Sequence, residues 1–231
     1  MKTISILSIL FLLFSCNKIE STNDTQKTSI VEDGSKFNIF RITKNEMNFG
    51  VSTTKPEDND FYINSNFFED GGQPIGLVVV DGLRHSDRIP GGGYFYVVNG
   101  IPHVKVGQCP TMTEFASQSK FWVLNNGIRN QSLFNSISSK ELTERVIIGE
   151  DTKGNIMVVG TNDGSSATIE EITEFAYENG MIEAILLDGG SSVDYKFTDT
   201  TSEYIVKSLP SLIKLLGGID EPPVYICGNY K

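Results

Sequence analysis

The apolar run Ile182–Leu187 ends abruptly at Asp188-Gly189-Gly190-Ser191-Ser192. A carboxylate at the end of a buried strand is a reactive group held on a rigid support. The glycines that follow let backbone come close to a bulky ligand, and the two serines add hydroxyl and N–H groups to the same space. The same residues also describe a polar turn after a core strand. Three further clusters stand beside apolar segments. Asn64-Ser65-Asn66 interrupts a stretch rich in Phe, Tyr and Ile, where a buried amide must be hydrogen-bonded, so Asn64 is either a satisfied core residue or a ligand contact. Arg145 leads into Val146-Ile147-Ile148, and its planar fork suits a phosphate or carboxylate; the alternative is an internal pair with one of the acids. Asp163-Gly164 is the third. Ser191 and Ser192 lack the G-x-S-x-G spacing of a nucleophile elbow. With 2 histidines, His85 and His103, a histidine-rich metal site is excluded.

The elements that position these residues are mostly strands. Phe37–Thr43, Met47–Thr53 and Phe61–Phe68 alternate and are β-branched or aromatic. Pro74–Val80 runs to Asp81-Gly82, and Tyr94–Val98 with His103–Val106 flank Asn99-Gly100 as a hairpin. Arg88-Ile89-Pro90-Gly91-Gly92-Gly93 between them reads as a mobile loop, a spacer or a lid over a site. Thr111-Met112-Thr113-Glu114 has capping-box spacing and predicts a short helix to Gln118, with Met112 and Phe115 on one face. A strand Phe121–Leu124 follows, then a turn at Asn125-Asn126-Gly127. Val146–Gly149 and Ile156–Gly160 form a second clear hairpin. A helix capped by Thr168 and Glu171, with Ile169, Ile172, Phe175 and Ala176 at helical spacing, closes at Asn179-Gly180 and leads back to the strand ending at Asp188. Ser211–Leu216 reads as a helical turn and Val224–Cys227 as a last strand. One crossover helix in a hairpin-connected chain predicts an α+β single domain over residues 37–231, with a mixed, mostly antiparallel sheet and few helices.

At 231 residues and a formal charge of −10, the chain has room for one sizeable core and no surface for a phosphate backbone, which excludes nucleic acid as a partner. Residues 1–16 read as an address: Lys2, an apolar core from Ile4 to Phe14 too short to span a bilayer, and Cys16. The pattern resembles a bacterial lipoprotein signal peptide, which implies lipidation of Cys16; the alternative is an ordinary secretory signal. Either predicts export, to the periplasm or the cell surface. Residues 17–36 are polar and read as a flexible tether. Cys109 and Cys227 are left to pair or to stand as buried thiols.

Taken in order, Asn64-Ser-Asn-Phe67-Phe68, Pro74-Ile-Gly76 to Asp81-Gly82, Arg145-Val-Ile-Ile-Gly149, the capped helix and Ala184-Ile-Leu-Leu-Asp188-Gly-Gly-Ser-Ser192 resemble the phosphodiester glycosidase family. The resemblance spans about Phe61 to Phe197. Asn66 stands where the family has glycine, Val146 where it has threonine, and Ser191 where it has a third glycine. The resemblance implies a hydrolase that cuts the bond between a sugar's anomeric carbon and phosphate. That chemistry needs an anion clamp and a carboxylate beside a developing oxocarbenium ion. Arg145 with the N–H groups of Gly189 and Gly190 would supply the clamp, Asp188 the carboxylate, and Asp163 a second one. Asn64, Ser191 and Ser192 would contact sugar hydroxyls or phosphate oxygens. The spacing demands no cofactor and no metal.

Two functions follow from these residues. One is a lipid-anchored glycosidase acting on a sugar phosphodiester or a surface glycan. The other is a glycan-binding surface lipoprotein that uses the same cleft without turnover, motivated by Ser191. A binder is expected to line a groove with exposed aromatics, whereas the single tryptophan, Trp122, lies in an apolar strand.

Overall fold

The computed structural model describes residues 29–32, 36–69, 71–107, 111–136, 138–198, 203–207 and 224–231. The leader with Cys16, most of the tether, Cys109 and the expected turn at Ser211–Leu216 lie outside the described residues. In chain order the strands are β1 (Ser29–Glu32), β2 (Phe37–Ile42), β3 (Met47–Ser52), β4 (Phe61–Asn64), β5 (Val78–Val80), β6 (Leu83–Ser86), β7 (Gly93–Val98), β8 (Ile101–Val106), β9 (Phe115–Ser119), β10 (Phe121–Asn125) and β11 (Ile128–Arg129). A short helix α1 (Gln131–Phe134) precedes β12 (Val146–Asp151) and β13 (Ile156–Thr161). Then come helix α2 (Ile169–Glu178), β14 (Met181–Leu186), β15 (Asp194–Thr198), β16 (Glu203–Lys207) and β17 (Tyr225–Tyr230).

Local turn chemistry makes the hairpins. Asn99 and Gly100 have φ of 52° and 71°, and Asn126 and Gly127 48° and 75°, the left-handed pair that a two-residue hairpin turn requires. Asp81-Gly82, at 50° and 74°, is a third such turn, so the strand read as ending there continues as the hairpin β5–β6.

The strands form three sheets, not one. Their orders are β1-β2-β13-β12-β14-β10-β11, β16-β15-β4-β17-β3 and β6-β5-β9-β7-β8. The expected mixed sheet is corrected as well, since every described strand pairing is antiparallel. The crossover helix is present, but β12 sits between the two strands that α2 connects. Each of them therefore pairs β12 antiparallel, and no parallel ladder forms.

The expected helix at Thr111–Gln118 is also absent. Phe115–Ser119 is strand β9, laid between β5 and β7. Glu114, instead of reaching back to the Thr111 backbone, accepts from the Gly100 N–H at 3.0 Å, while the Thr113 hydroxyl donates to the Val97 carbonyl at 2.7 Å. Two ladders for β9 outweigh one local cap. At Thr168 the local signal prevails. Its hydroxyl accepts from the Glu171 N–H at 3.1 Å and the Glu171 carboxylate from the Thr168 N–H at 2.8 Å, the reciprocal capping box.

The seven-stranded sheet is buried on both faces, which explains its unbroken apolar runs. Ile147, Met157, Val159, Ala184 and Leu186 pack with Ile169, Ile172 and Ala176 of α2. Val146, Ile148, Val158 and Ile185 face the other way, into one cluster with Phe61, Ile63, Val78, Phe95 and Phe197 of the two smaller sheets. Gly149 is pressed against β14: a Cβ there would drive into the Glu183 carbonyl and the Met181 side chain. Gly149→Ala is expected to cost about 1–3 kcal/mol through overpacking. A thermal melt followed by circular dichroism checks this, and a parent-like midpoint contradicts it.

Candidate functional site

Asp188 lies one residue beyond Leu187, whose N–H still donates to Val146 at 3.1 Å, so the carboxylate is carried on the stiff end of β14. It is partly buried. Its Oδ1 accepts from the Gly189 N–H at 3.0 Å, and the Ser192 side chain is bonded to it. Burial pushes its pKa from the usual 3.8 up to about 6, against the lowering effect of Ser192 and the Gly189 N–H.

The backbone beneath Asp188 is held by Asn64, which is 0% exposed. Its Nδ2 donates to the Asp188 carbonyl at 2.7 Å and its Oδ1 accepts from the Asp194 N–H at 3.1 Å. One buried amide thus clasps both ends of the segment 188–194, and of the two readings of Asn64 the geometry supplies the satisfied core residue. The Asp188 N–H donates to the Ser65 carbonyl at 3.1 Å. Behind it runs a chain of buried polar side chains: Ser65 bonds Ser117, Ser117 donates to Asn66, and Asn66 donates to the Gln118 carbonyl at 2.8 Å. These bonds end β4 at Asn64, four residues short of the strand expected from the sequence. At the far end the Asp194 carboxylate pairs with Lys55, whose ammonium lies 5.1 Å over the Tyr62 ring.

The glycines serve close packing more than ligand approach. A Cβ on Gly189 would lie 2.8 Å from the Glu144 carbonyl oxygen, and Gly190 has φ of 63° with its N–H donating to that same carbonyl at 2.9 Å. Both N–H groups assigned to an anion clamp are therefore engaged within the protein, the Gly189 N–H by Asp188 itself. Ser191 is exposed in the short 3-10 turn Gly190–Ser192 and is not among the residues of positive φ, so its side chain causes no backbone strain there.

Arg145 reaches the same turn. Its Nη1 lies 3.8 Å from where a Gly189 Cβ would stand. Its Nε donates to the Ala167 carbonyl at 3.4 Å, and its Nη2 to those of Ser138 and Glu141 at 3.2 Å each. No described carboxylate forms a salt bridge with it. Burial lowers its pKa, partly opposed by the charge of Glu141. A half-buried guanidinium held by neutral carbonyls, with Nη1 toward the glycine turn, is a cation available to an anionic ligand.

Asp163 is exposed at the turn after β13. Its charge acts on Glu144 and on Tyr195, while the groups that set Asp188 are its burial, Ser192 and Gly189. Glu144, not singled out from the sequence, is half-buried with its pKa raised by burial and by Asp163. An acid directly before Arg145 was the visible cue; nothing local reports its burial. Cys227 is a free buried thiol raised to about 11 by burial, which leaves it unreactive. Among the described residues no three His, Cys, Asp or Glu side chains converge as a metal would require.

A family model described as phosphodiester glycosidase matches residues 59–206. The catalytic domain of zebrafish N-acetylglucosamine-1-phosphodiester alpha-N-acetylglucosaminidase, in a form auto-inhibited by pro-peptide, has a similar fold, with a TM-score of 0.63 and 15% identity over 88% of this chain and 82% of that one. A hypothetical protein from Synechocystis gives a TM-score of 0.59 and 14% identity over 88% of this chain and 61% of that one. At these identities the likeness is one of fold. No curated protein sequence matches the chain.

Proposed function

The chain belongs to the phosphodiester glycosidase family, and from that premise we propose that it hydrolyses the bond between a sugar's anomeric carbon and phosphate, with Asp188 at the reacting carbon. The observation that carries this reading is Asp188 itself: a carboxylate on a strand end, drawn out of water and locked through Asn64. The C1–O bond breaks, the oxygen leaves with the bonding pair as part of a phosphate monoester, and water supplies hydroxyl to C1 while its remaining proton passes to the released monoester or to solvent. A phosphate monoester is a stable anion with a second pKa of about 6, so protonating it as it leaves is a minor requirement. The carboxylate form of Asp188 stabilises the positive charge at C1. Arg145 holds the departing phosphate, and Ser192, bonded to Asp188, fixes the carboxylate rotamer. Asp163, with Glu144 beside it, is the second acidic group, at the β13 side of the turn.

Catalysis by the charged form has a sign. Because burial raises Asp188 to about 6, kcat/KM is expected to rise with pH through about 6 and to level off above it. An ordinary aspartate would give a limb near 4. Initial rates of sugar release from a sugar-1-phosphodiester between pH 4 and 8 test this; a profile that falls through 6 identifies the neutral acid as the working form.

Export and a lipid anchor at Cys16 belong to the same proposal and rest on the leader sequence alone. Metabolic labelling with a fatty acid, compared between the parent and Cys16→Ser, tests the anchor.

A further inference from the structure

The glycine-rich loop before β7, which the proposed chemistry leaves unused, is anchored by a side chain the sequence gives no reason to single out. Gln118 is 0% exposed and uses its whole amide. Its Oε1 accepts from the N–H groups of Leu77 and Ile89 at 3.0 and 3.1 Å, and its Nε2 donates to the carbonyls of Ile89 and Gly91 at 2.8 and 2.9 Å. Gly92, at φ of 73°, is pressed onto the Ser119 backbone with no room for a side chain. The loop expected to be mobile is thus tied down at Ile89 and Gly91, on either side of Pro90. Its product is the placement of Arg88, whose guanidinium lies 5.7 Å over the Tyr94 ring. No described acid forms a salt bridge with Arg88.

Arg88 borders a cavity of about 630 Å³ whose floor is Leu77 and Val79 and whose rim includes Arg84, Thr111 and Met112. Arg84 donates from Nε to the Ser86 carbonyl at 3.2 Å and pairs through Nη2 with Asp87 at 2.7 Å. Asp87 is itself 92% exposed, so water screens that pair. On a chain of charge −10, the groove thus places two guanidiniums beside an apolar floor, Arg84 paired with Asp87 and Arg88 with no described salt bridge. The size fits a ligand of a few sugar units. Guanidinium forks match phosphate oxygens, and the aliphatic floor with Met112 matches the C–H faces of sugar rings.

We propose that the groove between β5–β6 and the segment 111–113 is a second subsite that binds a phosphate-bearing glycan chain, with Arg88 as its fixed anion contact. The proposal deepens the reading of the chain as a phosphodiester glycosidase: it assigns a substrate with more than one phosphate, held at a place separate from Asp188.

The test is calorimetric titration of the full chain carrying Asp188→Asn, which keeps the ligand intact, with a trimer of sugars joined by phosphodiesters and with its dephosphorylated counterpart. Arg88→Gln added to that chain is expected to weaken trimer binding about tenfold, Arg88→Lys to restore part of it, and the neutral trisaccharide to bind equally to all. Unchanged binding on Arg88→Gln, or no preference for the phosphorylated trimer, overturns the subsite. So does binding of phosphatidylglycerol vesicles that Arg88→Gln abolishes while trimer binding persists, since the phosphate recognised is then a lipid headgroup. Turnover of a small sugar-1-phosphodiester by the chain with Asp188 intact is measured separately and is expected to be unaffected by Arg88→Gln. If that turnover is absent while the trimer still binds through Arg88, the reaction assignment fails and the groove stands.

Discussion

Asp188→Asn is expected to reduce sugar release from a sugar-1-phosphodiester by at least about a thousandfold while making the protein more stable at neutral pH. The two effects share one cause. The carboxylate is partly buried and raised to about 6, so above that pH the folded protein holds a charge it would sooner expose to water. The sign follows from linkage. For an acid raised on folding, the folded state binds the proton more tightly, so the penalty is absent below 3.8, grows between 3.8 and about 6, and is full above that. It is on the order of 3 kcal/mol at neutral pH, and the asparagine removes it. The amide oxygen still accepts from the Gly189 N–H, so the turn keeps its shape. Melting curves at pH 7.5 and pH 4 check the claim: the variant's advantage is expected at the higher pH and is expected to vanish at the lower. A variant that loses activity and also loses stability at pH 7.5 places Asp188 in the framework and takes it out of the chemistry.

Asn64→Ala is the second large effect, and it works through the backbone. The substitution takes the partner from the part-buried Asp188 carbonyl and Asp194 N–H, at about 1–2 kcal/mol for each group. It also frees the segment that carries Asp188 and Ser192. A loss of about 2–4 kcal/mol in urea unfolding is expected, with kcat falling some ten- to a hundredfold and KM changing little. Asn64→Asp keeps the acceptor for Asp194 but removes the donor to Asp188 and buries a charge, so it is expected to be no better than alanine. A variant of parent stability whose only defect is a raised KM returns Asn64 to direct substrate contact.

The two residues show how differently a sequence reports its parts. Asp188 is legible because its context is local: an apolar strand stops, an acid follows, and glycines follow the acid. Helix α2, the hairpin at Asn99-Gly100 and the turn at Asn126-Gly127 are legible for the same reason, since a capping box or a left-handed pair is satisfied within a few residues. Asn64 is visible as an anomaly, a polar group in an aromatic strand, but its role is not, because its two partners lie 124 and 130 residues away.

Non-local pairing decides the remainder. Thr111–Glu114 offers a helix cap as good on paper as Thr168–Glu171, yet two ladders with β5 and β7 draw the following residues into β9. The N–H groups of Gly189 and Gly190 are donors in any reading of the sequence, and only the approach of Glu144 and of the Asp188 carboxylate shows that they are engaged. Arg145, equally plausible from the sequence as an ion pair or as an anion contact, is held by three backbone carbonyls, which no local pattern reports. By itself the sequence determined which groups with chemistry stand at strand ends, because strand, turn and cap propensities act over a few residues. The tertiary structure alone decided which of those groups are buried, paired or available to a ligand, because a buried donor or acceptor must find its partner wherever packing brings one, at any distance along the chain.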